Sequence, residues 1–206
     1  MENIHNFMKD GKASGSRVLG IDPGSGEDIL TMGELLGDSM EADAFMMNQK
    51  YAGRLKKFCR HIFTGVIDQP ARYDYILPGG YINHYSCVDS LIQMMGAMLN
   101  YDGHIYVNYS NHHVFDRISN LFAFGSGKML KVNEHERKPR SHIEFDEFMR
   151  ELKANGLIIC NMELAQPQDI SQLEQNIKRF TDNDDFALTV VDKARYASFE
   201  LDIYRC

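Results

Sequence analysis

Short apolar segments alternate with helix-like segments along most of this 206-residue chain, and this alternation limits the folds open to it. Runs of four to eight β-branched, aromatic and aliphatic residues predict strands, and apolar residues spaced three and four apart predict helices. Strands separated by helices build βαβ units, which predict a mostly parallel, doubly wound α/β sheet. We predict strands at 17–22, 42–48, 61–66, 73–77, 104–109, 157–162 and 186–192, and helices at 27–36, 49–60, 88–100, 145–154 and 171–180.

The charge balance and the cysteine spacing exclude several classes of protein. The 29 Asp and Glu residues outnumber the 22 Lys and Arg residues, and the one basic cluster is at 135–142, which disfavours a nucleic-acid partner. No apolar run approaches the roughly 18 residues of a membrane span, and the polar first twelve residues do not resemble a secretory signal. The four cysteines form no CxxC pair, so we expect free thiols in a cytoplasmic protein.

A glycine turn between the first strand and the first helix is the clearest candidate for a ligand site. Gly24 and Gly26 allow the backbone to approach a ligand closely, and the helix that follows presents free N–H groups. In a doubly wound sheet, ligands bind outside the carboxyl ends of the strands. A tight turn with a purely structural role is the alternative. The dinucleotide fingerprint is incomplete, because Ile29 stands where the third glycine belongs.

Other possible motifs have the wrong residue at a required position or the wrong spacing. Residues 125–128 (GSGK) resemble part of a P-loop, but Met129 follows where Ser or Thr should bind Mg²⁺. The adjacent His112 and His113, with Asp116, match no metal-binding motif, so we predict no metal site. No nucleophile elbow is present in a strand–turn–helix context, which disfavours a hydrolase.

The order of the motifs resembles that of the class I S-adenosylmethionine-dependent methyltransferases. Residues 18–26 (VLGIDPGSG) are similar to the family's first motif, and 73–85 to its fourth strand and the turn after it. Residues 88–103 resemble the next helix and turn, and 107–111 the following strand end. Arg140, His142 and Phe145 resemble the Arg-x-His-x-x-Phe signature of a subgroup linked to sugars, glycans and quinone-type small molecules.

This resemblance implies an architecture and a reaction. It implies a Rossmann-like, three-layer αβα domain at 17–195 with seven strands, the last of them antiparallel, between an N-terminal arm (1–16) and a C-terminal tail (196–206). It also implies S-adenosyl-L-methionine as the cofactor and a small molecule or sugar as the methyl acceptor. Because so few residues precede the first strand, we expect an open cleft, or one that a second copy or a partner chain covers.

Three positions depart from the family's pattern: Gly20 and Met46 stand where it has acidic residues, and Asp22 stands where it has glycine. Where the family has an acidic residue for the cofactor's ammonium group, this chain has Gly20, and Asp22 offers a carboxylate two residues later on the same strand face. Met46 stands where an acid normally binds the ribose, a loss worth about 1–3 kcal/mol, and Asn48 offers one hydrogen bond instead. Asp68 stands where an acidic loop meets the adenine.

The resemblance assigns a role to each candidate residue. The cofactor-binding candidates are Asp22, Gly24, Ser25, Gly26, Met46, Asn48, Asp68 and Gly79. His84 is the first candidate for the catalytic base and His142 the second, since imidazole titrates near neutral pH. The candidates for the acceptor pocket are Tyr81, Tyr85, Tyr109 and Arg140. Each histidine also has a structural interpretation, as a loop hydrogen-bonding group, and each tyrosine has one as a core residue.

Three functions therefore remain open. The first is an O-methyltransferase acting on a small molecule or a glycan. The second is a degenerate methyltransferase-like domain that binds a partner or a glycan without turnover. The third is a nicotinamide-dependent enzyme, against which the missing third glycine argues.

Overall fold

The structure is a computed structural model that describes residues 8, 15–47, 49–65, 71–111, 143–167, 171, 175 and 196–205. Within these residues the strands are β1 (Arg17–Ile21), β2 (Glu41–Met46), β3 (His61–Thr64), β4 (Tyr73–Pro78), β5 (Leu99–Ser110), β6 (Leu157–Pro167) and β7 (Tyr196–Arg205). The helices are α1 (Glu27–Leu36), α2 (Ala52–Leu55), α3 (Val88–Met98) and α4 (Phe145–Ala154), with 3-10 turns at Gln49–Tyr51 and Ile82–His84.

The seven strands form one sheet in the order β3-β2-β1-β4-β5-β7-β6. β1 pairs in parallel with β2 and β4, β2 with β3, and β4 with β5, while the last strand is antiparallel. The predicted seven-stranded, Rossmann-like α/β fold is thus confirmed. β2 and β3 lie on one side of β1 in the sheet, and β4 and the later strands lie on the other, so the strand order reverses between β1 and β4. The crevice for a ligand therefore lies beyond the carboxyl ends of β1 and β4.

Two helices have the bounds that the apolar spacing predicts. α1 buries Ile29 and Met32, and α4 buries Phe148 and Leu152, which are one helical turn apart in each case. The predicted helix at 49–60 is instead a 3-10 turn followed by the four-residue α2. No helix in the described part of the chain is long and apolar enough to cross a membrane.

The segment 100–103 (NYDG) lies inside β5, although its sequence predicts a turn that ends a helix. The β4–β5 ladder passes from the pair Tyr73–Leu99 directly to the pair Tyr75–His104, so the extra residues bulge out of β5. Asn100 donates a hydrogen bond from Nδ2 to a carboxylate oxygen of Asp74 at 2.8 Å. Pairing with β4 therefore overrides the turn preference of these residues.

The prediction of a C-terminal tail at 196–206 is wrong, because Tyr196–Arg205 forms β7, which lies between β5 and β6. Leu201 and Ile203 are fully buried, but so are the polar residues Ser198, Glu200 and Asp202, at 3–5% exposure. Buried polar residues hide the alternation by which a strand is recognised in sequence. The strand predicted at 186–192 lies outside the described residues, as does the helix predicted at 171–180 apart from residues 171 and 175.

The chain divides into two compact units, although its composition shows no boundary. The first contains 1–108, 141–163 and 200–206, and the second contains 109–140 and 164–199. The first unit includes β1 to β4 and all four helices. Its apolar core lies on one face of β1 and β2, where Val18, Ala44, Met46, Ile29, Met32 and Leu55 are buried together.

Candidate functional site

The turn after β1 has one open face and one packed face. Gly24 and Gly26 both adopt left-handed backbone angles, with φ of 54° and 83°, and the N–H of Gly26 donates to the carbonyl of Pro23 at 2.8 Å. A Cβ on Gly24 would meet nothing within 4 Å, whereas one on Gly26 would collide with the ring of Phe58 and with Leu55. Gly24 therefore faces open space, and Gly26 permits close packing behind the turn.

Asp22 links the end of β1 to the end of β2 through two hydrogen bonds. Its backbone N–H donates to the carbonyl of Phe45 at 2.7 Å, and its Oδ1 accepts a hydrogen bond from the N–H of Met47 at 2.6 Å. Its φ of 44° is uncommon for a residue with a side chain, although Asp tolerates it better than most. A carboxylate can accept several hydrogen bonds, so Asp22 retains capacity for a ligand.

The space beside Gly20 is filled by apolar side chains. A Cβ on Gly20 would lie 2.6 Å from Cδ1 of Ile29 and 3.0 Å from Cβ of Pro23, and Ile29 is fully buried. The acidic residue that the methyltransferase pattern has at this position cannot be accommodated without moving Ile29. Asp22 is therefore the carboxylate that the end of β1 presents.

Replacing Gly20 tests this packing. We expect Gly20→Asp to lower the free energy of unfolding by about 2 kcal/mol, because the new side chain overpacks against Ile29. In the Gly20→Asp/Ile29→Ala double variant, the effect of the aspartate should shrink relative to Ile29→Ala alone. Urea unfolding of the four proteins measures this coupling. If Gly20→Asp lowered the free energy of unfolding equally in the unmodified protein and in Ile29→Ala, the proposed contact would be contradicted.

The end of β2 presents Met47 rather than Met46. Met46 is 2% exposed and belongs to the apolar core, so the structure does not support its assignment as a cofactor-binding residue. Met47 is 64% exposed. Neither thioether replaces a carboxylate as a hydrogen-bond acceptor.

The end of β4 lies close against the end of β1. The N–H of Gly79 donates to the carbonyl of Ile21 at 2.7 Å, and a Cβ on Gly79 would collide with the carbonyl oxygen of Asp22. The phenol of Tyr85 donates to the carbonyl of Gly79 at 2.9 Å. Burial, with the charge of Asp22 adding to it, holds the pKa of Tyr85 well above its usual value, so this phenol remains a hydrogen-bond donor.

His84 is exposed on the loop that follows β4. Its backbone N–H donates to the carbonyl of Tyr81 at 3.0 Å, and the two rings meet edge to face with centroids 5.2 Å apart. Tyr81 itself forms a β-bridge with Asn108. An exposed imidazole thus lies on the segment between Gly79 and Tyr85.

The remaining predicted residues have other partners or lie outside the described part of the chain. Ser25 lies in the turn, but its hydroxyl donates to a carboxylate oxygen of Glu27 at 2.9 Å. Tyr109 is 4% exposed and stacks on Phe199 within the second unit, so its ring packs in the interior of that unit. The residues outside the described part of the chain are Asn48, Asp68, Arg140 and His142.

Comparison with known proteins identifies the fold. No family model matches the sequence, and no curated protein is similar to it. A putative methyltransferase from Bacillus halodurans superposes with a TM-score of 0.59 at 13% identity, covering 98% of this chain and 96% of that one. The chain has the fold of the class I S-adenosylmethionine-dependent methyltransferases.

Two further structures have this methyltransferase fold. The Haloferax volcanii putative methyltransferase in complex with the activator Trm112 has a TM-score of 0.62 at 13% identity, covering 98% of this chain and 86% of that one. PKMT2 from Rickettsia typhi in complex with AdoHcy has a TM-score of 0.57 at 12% identity. That match covers 93% of this chain and 49% of PKMT2, so the chain spans about half the length of that protein.

A buried polar network occupies the opposite, amino-terminal edge of the methyltransferase-fold sheet. Asp43 is 3% exposed, and its carboxylate accepts hydrogen bonds from the phenol of Tyr73 at 2.9 Å, the N–H of His61 at 3.1 Å and the guanidinium of Arg17 at 3.3 Å. Burial and the charge of Asp43 raise the pKa of the neighbouring Cys59 thiol to about 11. No sequence motif marks this network, although a carboxylate between Ala42 and Ala44 in an apolar strand indicates a buried charge that needs partners.

Proposed function

We propose that this protein is an S-adenosylmethionine-dependent methyltransferase that methylates a hydroxyl group of a small molecule or a sugar. The observation that carries the proposal is the open face of the turn at Gly24, which lies where the strand order reverses. Left-handed glycine at this point lets the backbone approach a ligand with no side chain in the way. The fold and the motif order favour the methyl donor over other ligands of such crevices.

Residues at the ends of β1 and β4 would hold the cofactor. The carboxylate of Asp22 would accept a hydrogen bond from its ammonium group, a charge-assisted contact worth about 1.5–3 kcal/mol. Gly79 contacts the end of β1 closely, and its carbonyl accepts a hydrogen bond from the phenol of Tyr85. These contacts would keep the two strand ends in place. The cofactor supplies a methyl group on a sulfonium ion, the electrophile of an in-line displacement.

His84 would remove the proton of the acceptor hydroxyl. Methyl transfer needs positioning and, for a hydroxyl acceptor, a base. The imidazole of His84 is exposed on the loop after β4, and the ring of Tyr81 packs against it. The formal net charge of −7 favours a neutral or cationic small acceptor over a nucleic acid.

Substitution of His84 tests the proposed base. With methyl-labelled S-adenosylmethionine and a panel of sugars and phenols, we expect His84→Gln to lower turnover about 100-fold while leaving the cofactor's Kd unchanged. His61→Gln is the matched control, since His61 is also exposed but lies at the amino-terminal edge. Equal turnover in both variants would contradict a catalytic role for His84.

A binding domain without turnover is the second candidate, and a specific observation favours it. Ile29 fills the space beside Gly20, and Met47 offers no carboxylate at the end of β2. Losing two acceptors of about 1–3 kcal/mol each would weaken cofactor binding strongly. Absence of binding by both S-adenosylmethionine and S-adenosylhomocysteine would favour this candidate.

A cytoplasmic setting, and a second copy or a partner chain that covers the cleft, complete the proposal. The free thiols of Cys59, Cys87 and Cys160 support a reducing compartment. Size-exclusion chromatography with light scattering, at several protein concentrations, would detect a second copy.

A further inference from the structure

Three neighbouring strands bring a histidine, a cysteine and an aspartate together, away from the ends of β1 and β4. His104 lies on β5, Asp202 on β7 and Cys160 on β6, all within the first unit. Nδ1 of His104 is 2.8 Å from Oδ1 of Asp202, and Sγ of Cys160 is 3.3 Å from the backbone carbonyl oxygen of Asp202. One ligating atom from each side chain lies within 4.8 Å of the other two.

We propose that His104, Cys160 and Asp202 bind a divalent cation of the zinc type. Imidazole nitrogen, thiolate sulfur and carboxylate oxygen are the three ligand types that Zn²⁺ uses in proteins, and a thiolate disfavours Mg²⁺ and Ca²⁺. Three protein ligands leave a fourth tetrahedral position for water or for a ligand from outside.

The burial of the three residues supports this site. The side chain of Asp202 is only 6% exposed, and a buried carboxylate is costly unless a cation or a set of donors compensates it. The side chain of His104 is 34% exposed and Cys160 is exposed, so an ion can enter from solvent. A cation between them would compensate the buried charge of Asp202.

The strands also hold the ligands close to the geometry that the ion requires. The ring of His104 lies beside those of Tyr75 and Tyr106, at centroid distances of 6.2 Å and 6.0 Å, and these neighbours limit its orientation. Nitrogen and oxygen ligands of tetrahedral Zn²⁺ lie about 3.3 Å apart. The His104 and Asp202 atoms must therefore separate only slightly to admit the ion between them.

The sequence predicted no metal site, since no motif links these three residues. His104 and Asp202 are 98 positions apart, and the cysteine lies between them in sequence. Adjacency of β5, β7 and β6 in the sheet is what brings them together. The site is independent of the proposed methyltransferase activity.

Titration with Co²⁺ followed by optical absorbance tests the site directly. We expect one Co²⁺ per chain, with the charge-transfer absorbance of a cobalt–thiolate bond, and displacement by Zn²⁺. Cys160→Ser should abolish that absorbance, and His104→Gln should weaken Zn²⁺ binding at least about 100-fold, since even indirect partners of metal ligands contribute 10- to 100-fold. Cys87→Ser is the control, because it removes an exposed thiol elsewhere and should retain the absorbance.

Two results would overturn the proposal. The first is the absence of thiolate absorbance in the unmodified protein at excess Co²⁺, a measurement that depends on no variant. The second is absorbance that survives in Cys160→Ser but is lost in Cys87→Ser. Either would leave the His104–Asp202 pair and the Cys160 hydrogen bond as structural contacts only.

Discussion

Gly24→Arg is expected to weaken S-adenosylmethionine binding at least 100-fold, roughly 3 kcal/mol. A Cβ at this position would meet nothing within 4 Å, and the rest of the arginine side chain would extend into the volume proposed for the cofactor. Isothermal titration calorimetry with the unmodified and variant proteins measures the change in Kd.

Gly156→Arg is the matched control for this substitution. Gly156 also has a left-handed φ, 68° against 54° at Gly24, and also faces open space. It lies between α4 and β6, at the amino-terminal edge of the sheet. Both variants therefore carry a similar backbone strain and the same added charge, but only Gly24→Arg should lose the cofactor. Equal loss in both would contradict the location of the site.

Asp43→Asn is expected to lower the free energy of unfolding by about 3 kcal/mol. The substitution removes the charge but keeps the shape, so Arg17 loses its buried counter-charge and His61 loses a carboxylate partner. Arg17 then keeps its longer, exposed pair with Glu41, and the buried donors around position 43 lose a charged acceptor. Urea unfolding should show a lower midpoint with an unchanged slope.

Glu41→Gln provides the control on the same strand. Glu41 also pairs with Arg17, at 3.9 Å, and with Arg60 at 2.7 Å, but its side chain is 47% exposed. Exposed ion pairs contribute about 0–1 kcal/mol, so this variant should unfold near the midpoint of the unmodified protein. A similar loss of stability in both variants would show that burial of Asp43 does not set the strength of the network.

Local periodicity predicted much of the fold, and long-range pairing accounts for the differences. α1 and α4 begin and end where their apolar spacing predicts, because each has one buried face. The bulge in β5 could not be predicted, since it depends on pairing with β4. The sequence predicts a tail where β7 lies, and the polar residues Glu200 and Asp202, which obscure the pattern of a strand, are buried in the structure.

The candidate site was predictable where backbone conformation defines it. Gly24 and Gly79 are identifiable in sequence, because glycine after a strand indicates a close approach or a left-handed turn. Side-chain packing was not predictable in the same way. Sequence could not show that Ile29 fills the space beside Gly20, or that Met46 faces the core while Met47 faces solvent.

Calorimetric titration of the unmodified protein with S-adenosylmethionine and S-adenosylhomocysteine tests the central proposal most directly. Because Gly24 faces open space two residues after Asp22, we predict saturable binding of one ligand per chain with a Kd in the micromolar range, about −8 kcal/mol. No heat of binding from either ligand at millimolar concentration would contradict the proposed cofactor site, and the methyltransferase function with it.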